Sequence, residues 1–205
     1  MRSNEDPCEF FNGLHARAAT DLLRLMDGFY SNIEDGLFEM AYANDDPQFQ
    51  RRTVELMREL RFRRKHLLQT FGKRVQFAAT AWAQGQEIEL RDNDETHQAQ
   101  RMAAKCNAHF GVLLQAIAER CAHATDCNVS RTTLPFSPLQ ISLHFIRSCR
   151  TVDFDDKAVE LVESLFQRFV LDRLGAMYGA MNQALEVHGY CTMDQLDKLL
   201  YSTGA

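Results

Sequence analysis

The chain has 205 residues, a net charge of −5, 45% hydrophobic and 25% charged residues. Its length suits one large helical domain or two small ones, and its composition suits a sizeable core. The acidic total by itself suggests no nucleic-acid partner, and no apolar run approaches the ~20 residues that a membrane helix needs.

The chain opens MRSNEDPCEFFNG, with acids and a proline where a signal peptide would place an apolar stretch, so a cytoplasmic location is expected. Residues 1–13 are read as a short flexible N-terminus. A first amphipathic helix is predicted over 14–43. At 100° steps, Leu14, Leu22, Leu25, Phe29, Ile33, Leu37 and Met40 share one face. His15 lies near the centre of that face and reads as a hydrogen-bonded core histidine. The segment Asn44-Asp45-Asp46-Pro47 ends the helix. Asp46 suits an N-cap, with Pro47 at the first position of a second helix over 47–82. Its predicted stripe is Val54, Met57, Leu60, Leu67, Leu68, Phe71, Val75, Ala78 and Trp82. The short connection makes an antiparallel hairpin.

A polar stretch over 84–94 leads to a third helix over 94–124, with Met102, Cys106, Phe110, Leu113, Ile117 and Cys121 in its stripe. Residues 125–136 read as a loop, the one candidate for a minor domain boundary. Ser137-Pro138 starts a short helix to about 149, apolar nearly all round and so expected to be buried. A fifth helix is predicted over 155–187, stopped at Gly189, and Thr192 with Gln195 suggests a last short helix through Leu200. Only four prolines and ten glycines interrupt the pattern. The fold class is therefore all-α, a bundle of five or six mostly long antiparallel helices in a single domain over 1–205.

No catalytic constellation is found. The six cysteines read as reduced thiols in a chain without a secretion signal. Cys121, His123 and Cys127 suggest zinc, but Cys121 and His123 point about 160° apart on a helix and no second ligand pair has matching spacing. No Glu-x-x-His pair, Gly-x-Ser-x-Gly elbow, phosphate-binding glycine loop or dinucleotide fingerprint occurs, so no cofactor is expected. Asp153, Asp155 and Asp156 lack the glycine of a calcium loop and suit a helix N-terminus instead.

The second helix is the distinctive one. Positions 51–74 hold nine basic residues against Glu55 and Glu59, a charge of +7 that leaves −12 for the remainder. Charge runs of this kind are commonly solvated faces. Two residues depart from that reading. Phe62 falls in the middle of the basic face, where it is either covered by another helix or an anchor for a partner; large bundles often bury two sides of a helix, which favours cover. Arg64 falls in the apolar stripe and needs a partner, and Glu163, within the stripe of the fifth helix, suggests a buried Arg64–Glu163 pair that fixes register. The candidate partner-binding residues are Arg51, Arg58, Phe62, Lys65 and Lys73. A protein partner is expected first, a nucleic acid contacted by the same face second, and an enzyme with scattered residues third.

Several segments resemble one family. The run from Asp27 to Glu39 is similar to the "LDDALFELAE"-type segment of the bacterial domain of unknown function 1631 family, and Met57–Arg64 to its "MRELR" element. Phe136-Ser-Pro-Leu139 resembles its "NPLSP"-like helix start. Leu161–Leu171, with Leu174, Tyr178, Asn182 and Leu185, resembles its "KLFDRHVL…LY..LN..L" helix. The stretch 88–95 and the end from Gly189 depart from the family pattern. The resemblance covers about 14–190 and implies a bacterial cytoplasmic protein, usually longer than this chain, without an established reaction or catalytic residues. The context it suggests is that of non-enzymatic regulators of surface behaviour, some tied to cyclic dinucleotide signalling. No nucleotide-binding motif here supplies that link.

Overall fold

The computed structural model describes residues 7–86, 90–125, 127–152, 154 and 156–190. These form six α-helices and one 3₁₀ turn, with no strand among the described residues. The helices are α1 (Pro7–Tyr42), α2 (Pro47–Ala83), α3 (Asp94–Thr125), α4 (Pro138–Cys149), α5 (Asp156–Phe169) and α6 (Gly175–Val187). The predicted helix after Thr192 lies outside the described residues.

The local signals act as their chemistry dictates. Asp46 Oδ1 accepts the Gln48 N–H at 2.9 Å, which caps α2 with Pro47 at its first position. Ser137 Oγ accepts the Gln140 N–H at 3.2 Å and starts α4. Gly189, at φ 79°, ends α6 in a Schellman arrangement in which Tyr190 N–H donates to Leu185 O and Gly189 N–H to Glu186 O. Gly85, at φ 75°, ends α2 in the same way.

α1 and α2 pack as the expected antiparallel hairpin, α5 covers α1, and α6 lies against α3 and α1. α4 sits in the middle between α2 and α3, with every residue but Arg147 buried. Where α1, α4 and α5 meet, Phe145 stacks on Phe166 at 3.8 Å and Phe29 presents an edge to both rings. That geometry suits the aromatic quadrupole and ties three helices to one point.

Three expectations are corrected. α1 starts at Pro7, so residues 7–13 are helical and not a flexible terminus. The cause is aromatic: Phe10 packs on His188 and Tyr190, and Phe11 meets Trp82 edge-on at 5.2 Å. Val54 is not in the core but exposed, while Thr53 and Leu56 take the buried positions of that turn. The predicted fifth helix is two helices. Val170 departs from helical geometry (φ −119°, ψ −65°), and a 3₁₀ turn over Leu171–Arg173 redirects the chain before α6. Val170, Leu171 and Leu174 are completely buried, so the apolar pattern runs through the break without interruption.

Gly175 follows that break and lets α3 approach closely. A Cβ at this position would stand 2.9 Å from Phe110 Cε1, so the α3 ring rests directly on the first residue of α6. Gly175→Ala is expected to force the ring to shift, lowering stability by about 1–3 kcal/mol as overpacking does. A depressed thermal midpoint would register it; an unchanged midpoint would mean that Phe110 moves aside freely.

Candidate functional site

The outer face of α2 carries the candidate residues. Arg51, Arg58, Phe62, Lys65 and Lys73 are all exposed, and all lie within about 60° of Phe62 at 100° per residue. Phe62 is 80% exposed, which overturns the expectation that another helix covers it. The reason is tertiary: α1, α4 and α5 all pack on the opposite side of α2. The Arg63 guanidinium lies 5.4 Å from the Phe62 ring centroid, a cation over an aromatic face.

The cations of α2 divide into two groups. Arg61 grips Glu34 of α1 through two hydrogen bonds, Nε to Oε1 at 2.9 Å and Nη2 to Oε2. The Arg61 hydrogen bond and charge hold the Glu34 carboxyl below the usual carboxylate range. Arg63 Nε donates to Glu59 at 2.8 Å, and Arg64 Nη2 donates to Asp27 at 2.6 Å and to Ser31 at 3.1 Å. Arg61 and Arg64 join α2 to α1, and Arg63 pairs within α2. Arg51, Arg58, Lys65 and Lys73, in contrast, form no ion pair with any described acid. Glu55 is the exposed acid among them.

The Arg64–Glu163 pair is not formed. Arg64 runs along the seam to α1, where its head stays partly in water. Glu163 receives its hydrogen bond from the Gln98 amide of α3. Burial lifts the Glu163 carboxyl above its ordinary value against that bond. Glu163 belongs instead to a small cavity of about 210 Å³ between α3, α4 and α5, with Gln98 and Cys149 in its wall.

Other polar groups are interior. His15 is buried and its Nδ1–H donates to Ala79 O at 3.2 Å, the hydrogen-bonded core histidine that its position suggests. Burial depresses its imidazole to about 4. The thiols of Cys106, Cys121 and Cys149 are pushed up to about 12 by burial, so they are protonated at neutral pH and suited to packing more than to nucleophilic attack. Cys121 is buried while His123 and Cys127 are exposed, and no metal-binding cluster of three or more ligands occurs among the described residues.

Sequence reasoning missed two features. Arg120 is 2% exposed between α3 and α6. Its spacing of seven from Leu113, inside the α3 stripe, was the available signal. Phe38 and Tyr42 stand exposed on α1, 62% and 83%, with rings stacked 6.4 Å apart. Their absence from the apolar stripe of α1 marked them.

The described residues therefore define an all-α domain whose most distinctive surface is a convex, basic and aromatic helix face. The family model of the DUF1631 N-terminal domain, described as a protein of unknown function, matches residues 9–189, and the chain belongs to that family. Neither the curated proteins nor the solved structures include a match to it. Among the described residues, no helix is long and apolar enough to cross a membrane.

Proposed function

We propose that this domain is a non-enzymatic helical adaptor or regulatory module of a bacterial cytoplasmic signalling protein, and that it binds another protein through the outer face of α2. The carrying observation is Phe62, 80% exposed among four cations that have no acid partner among the described residues. Aromatic and arginine side chains are the residues that most often anchor protein interfaces. Three other arginines of the segment, Arg61, Arg63 and Arg64, hold acids of α1 or α2, so the fold has its own ion pairs apart from the open cations.

Phe62→Glu is expected to leave the helical circular dichroism and thermal midpoint unchanged, because the ring packs on no other helix. It is expected to lose a partner captured from native lysate under nuclease treatment, whereas Val112→Glu, at another exposed apolar site, keeps it. Retention of the partner by Phe62→Glu would rule this face out.

The open cations also favour a second reading, a nucleic-acid module in which phosphates meet the arginines and a base stacks on Phe62. The −12 carried by the remainder of the chain opposes it by repelling a polyanion at long range. Partners that vanish with nuclease, and binding that falls steeply with salt, would favour this alternative.

A further inference from the structure

We infer that the binding face does not stop at α2 but crosses the hairpin seam onto α1, and that its occupant is an acidic amphipathic helix of a partner protein. This rests on reading the α2 face as a protein-binding surface. Eight large apolar side chains are exposed among the described residues, and they are not scattered evenly. Phe38, Tyr42, Val54 and Phe62 all fall on the half of the hairpin nearer its tip.

The ion pairs of the seam fix which sides of the helices meet. Glu34 with Arg61 and Asp27 with Arg64 place the flank of α1 that carries Glu34 against the flank of α2 that carries Arg61. On α1, Phe38 stands one turn from Glu34 toward the tip. On α2, Val54 stands two turns from Arg61 in the same direction, because the helices are antiparallel. Phe38 and Val54 therefore border the same seam at nearly the same level. Tyr42 extends the track one turn on α1, and Phe62 continues it on α2 beyond Arg58. Val54 is 43% exposed, so it is partly covered where the two helices meet.

The chemistry selects the occupant. With no strand among the described residues, there is no sheet edge for an extended peptide to join. The track follows the helix axes from Arg51 to Lys65, about 21 Å at 1.5 Å per residue, the length of about four helical turns. Apolar anchors at helical spacing would meet Phe38, Tyr42, Val54 and Phe62. Arg51, Arg58 and Lys65 border the track without partners, so the flanks of the occupant should carry carboxylates. The acids near the track include Glu55, Asp35, Asp45, Asp46, Glu34 and Glu39; Arg61 holds Glu34, Arg168 holds Glu39, and Asp46 caps α2, so the open cations on the α2 side are where the occupant's carboxylates should lie. Four large apolar side chains in one band suit buried hydrophobic contact better than phosphates do.

The test is selection of a helix-biased random peptide library on the purified full chain, followed by affinity measurement with Phe38→Glu and Phe62→Glu variants that retain native circular dichroism. The expected consensus places Leu or Phe at i, i+3 or i+4, and i+7 among Asp and Glu. Each variant should weaken an enriched peptide by roughly tenfold or more, as loss of an interface anchor does. Loss with Phe62→Glu alone would overturn the extension onto α1 and leave the α2 reading standing. Loss with neither variant, or no enrichment, would overturn both. A proline-rich or basic consensus would overturn the acidic helix. Binding of a 20-nucleotide RNA or of phosphatidylserine vesicles through these same residues, without peptide enrichment, would do so too.

Discussion

Lowering the pH from 7 toward 4 should destabilise the fold by about 3 kcal/mol for each of His15 and His144. Both imidazoles are buried and depressed to about 4 in the folded chain, against 6.5 for an unhindered histidine. Burial is the main cause for both; for His144 the charges of Arg147 and Arg74 add to it. His144 lies in α4 with neither ring nitrogen hydrogen-bonded, and Arg74 Nε beside it is also without a partner. Between about pH 6.5 and 4 the unfolded chain takes up two protons that the folded chain refuses. Unfolding free energy then rises with pH in that window, by up to about 2.7 kcal/mol per pH unit for two sites. Above 6.5 the two histidines add no pH dependence, because both are neutral in the folded and the unfolded chain.

Domains of ordinary stability have about 5–15 kcal/mol to lose, so the acid transition is expected well above the pH at which carboxylates alone would unfold the chain. Glu34, held low by Arg61, loses its contribution only below the ordinary carboxylate value, which separates the two effects. Urea unfolding at a series of pH values measures the slope. His144→Leu should halve it, and should leave stability at pH 7 equal or higher, because it removes two buried nitrogens that have no partners. A slope unaffected by His144→Leu and by His15→Phe would show that other groups govern the acid response.

How far the sequence reaches depends on the kind of signal. Caps at Asp46 and Ser137 and the turn at Gly189 are local chemistry, decided within a few residues, and they are where the sequence places them. The all-round burial of α4 follows from apolar residues on every side of a short helix. The break before α6 is invisible because a 3₁₀ turn at 170–174 keeps every apolar side chain inside, and Gly175 within a helical pattern is a weak sign. The direction in which Phe62 points could be read from the wheel, but whether a neighbour covers it is a property of the whole bundle. Arg64 illustrates a further limit. Its Cα lies in the apolar stripe, yet a long side chain carries the charge to the seam, so position on a helix does not fix where a guanidinium ends.

Among the described residues Arg120 is a buried cation, and removing it is expected to cost roughly 3–5 kcal/mol. Its Nη1 donates to Asn182 Oδ1 at 2.6 Å, and its Nη2 reaches Glu186 at 3.4 Å. Asn182 in turn donates to Leu113 O at 3.0 Å, so one network joins α3 to α6 on the side away from α2. Asn182 and Glu186 stand one turn apart on α6, a spacing that presents both to the same point on α3. In Arg120→Ala, the Asn182 carbonyl oxygen loses its charged donor inside the core, and a cavity remains where the guanidinium lay. The cost therefore comes from what is stranded as much as from what is lost. A pair of variants separates the two contributions. Arg120→Met keeps the volume but strands Asn182, whereas Arg120→Met with Asn182→Leu removes both sides of the bond. The double variant should be more stable than the single one by about 1 kcal/mol or more, read from denaturant midpoints. Equal midpoints would mean that Asn182 finds water when Arg120 is gone, and a loss below about 1 kcal/mol in Arg120→Ala would remove this network from the forces that hold α6 in place.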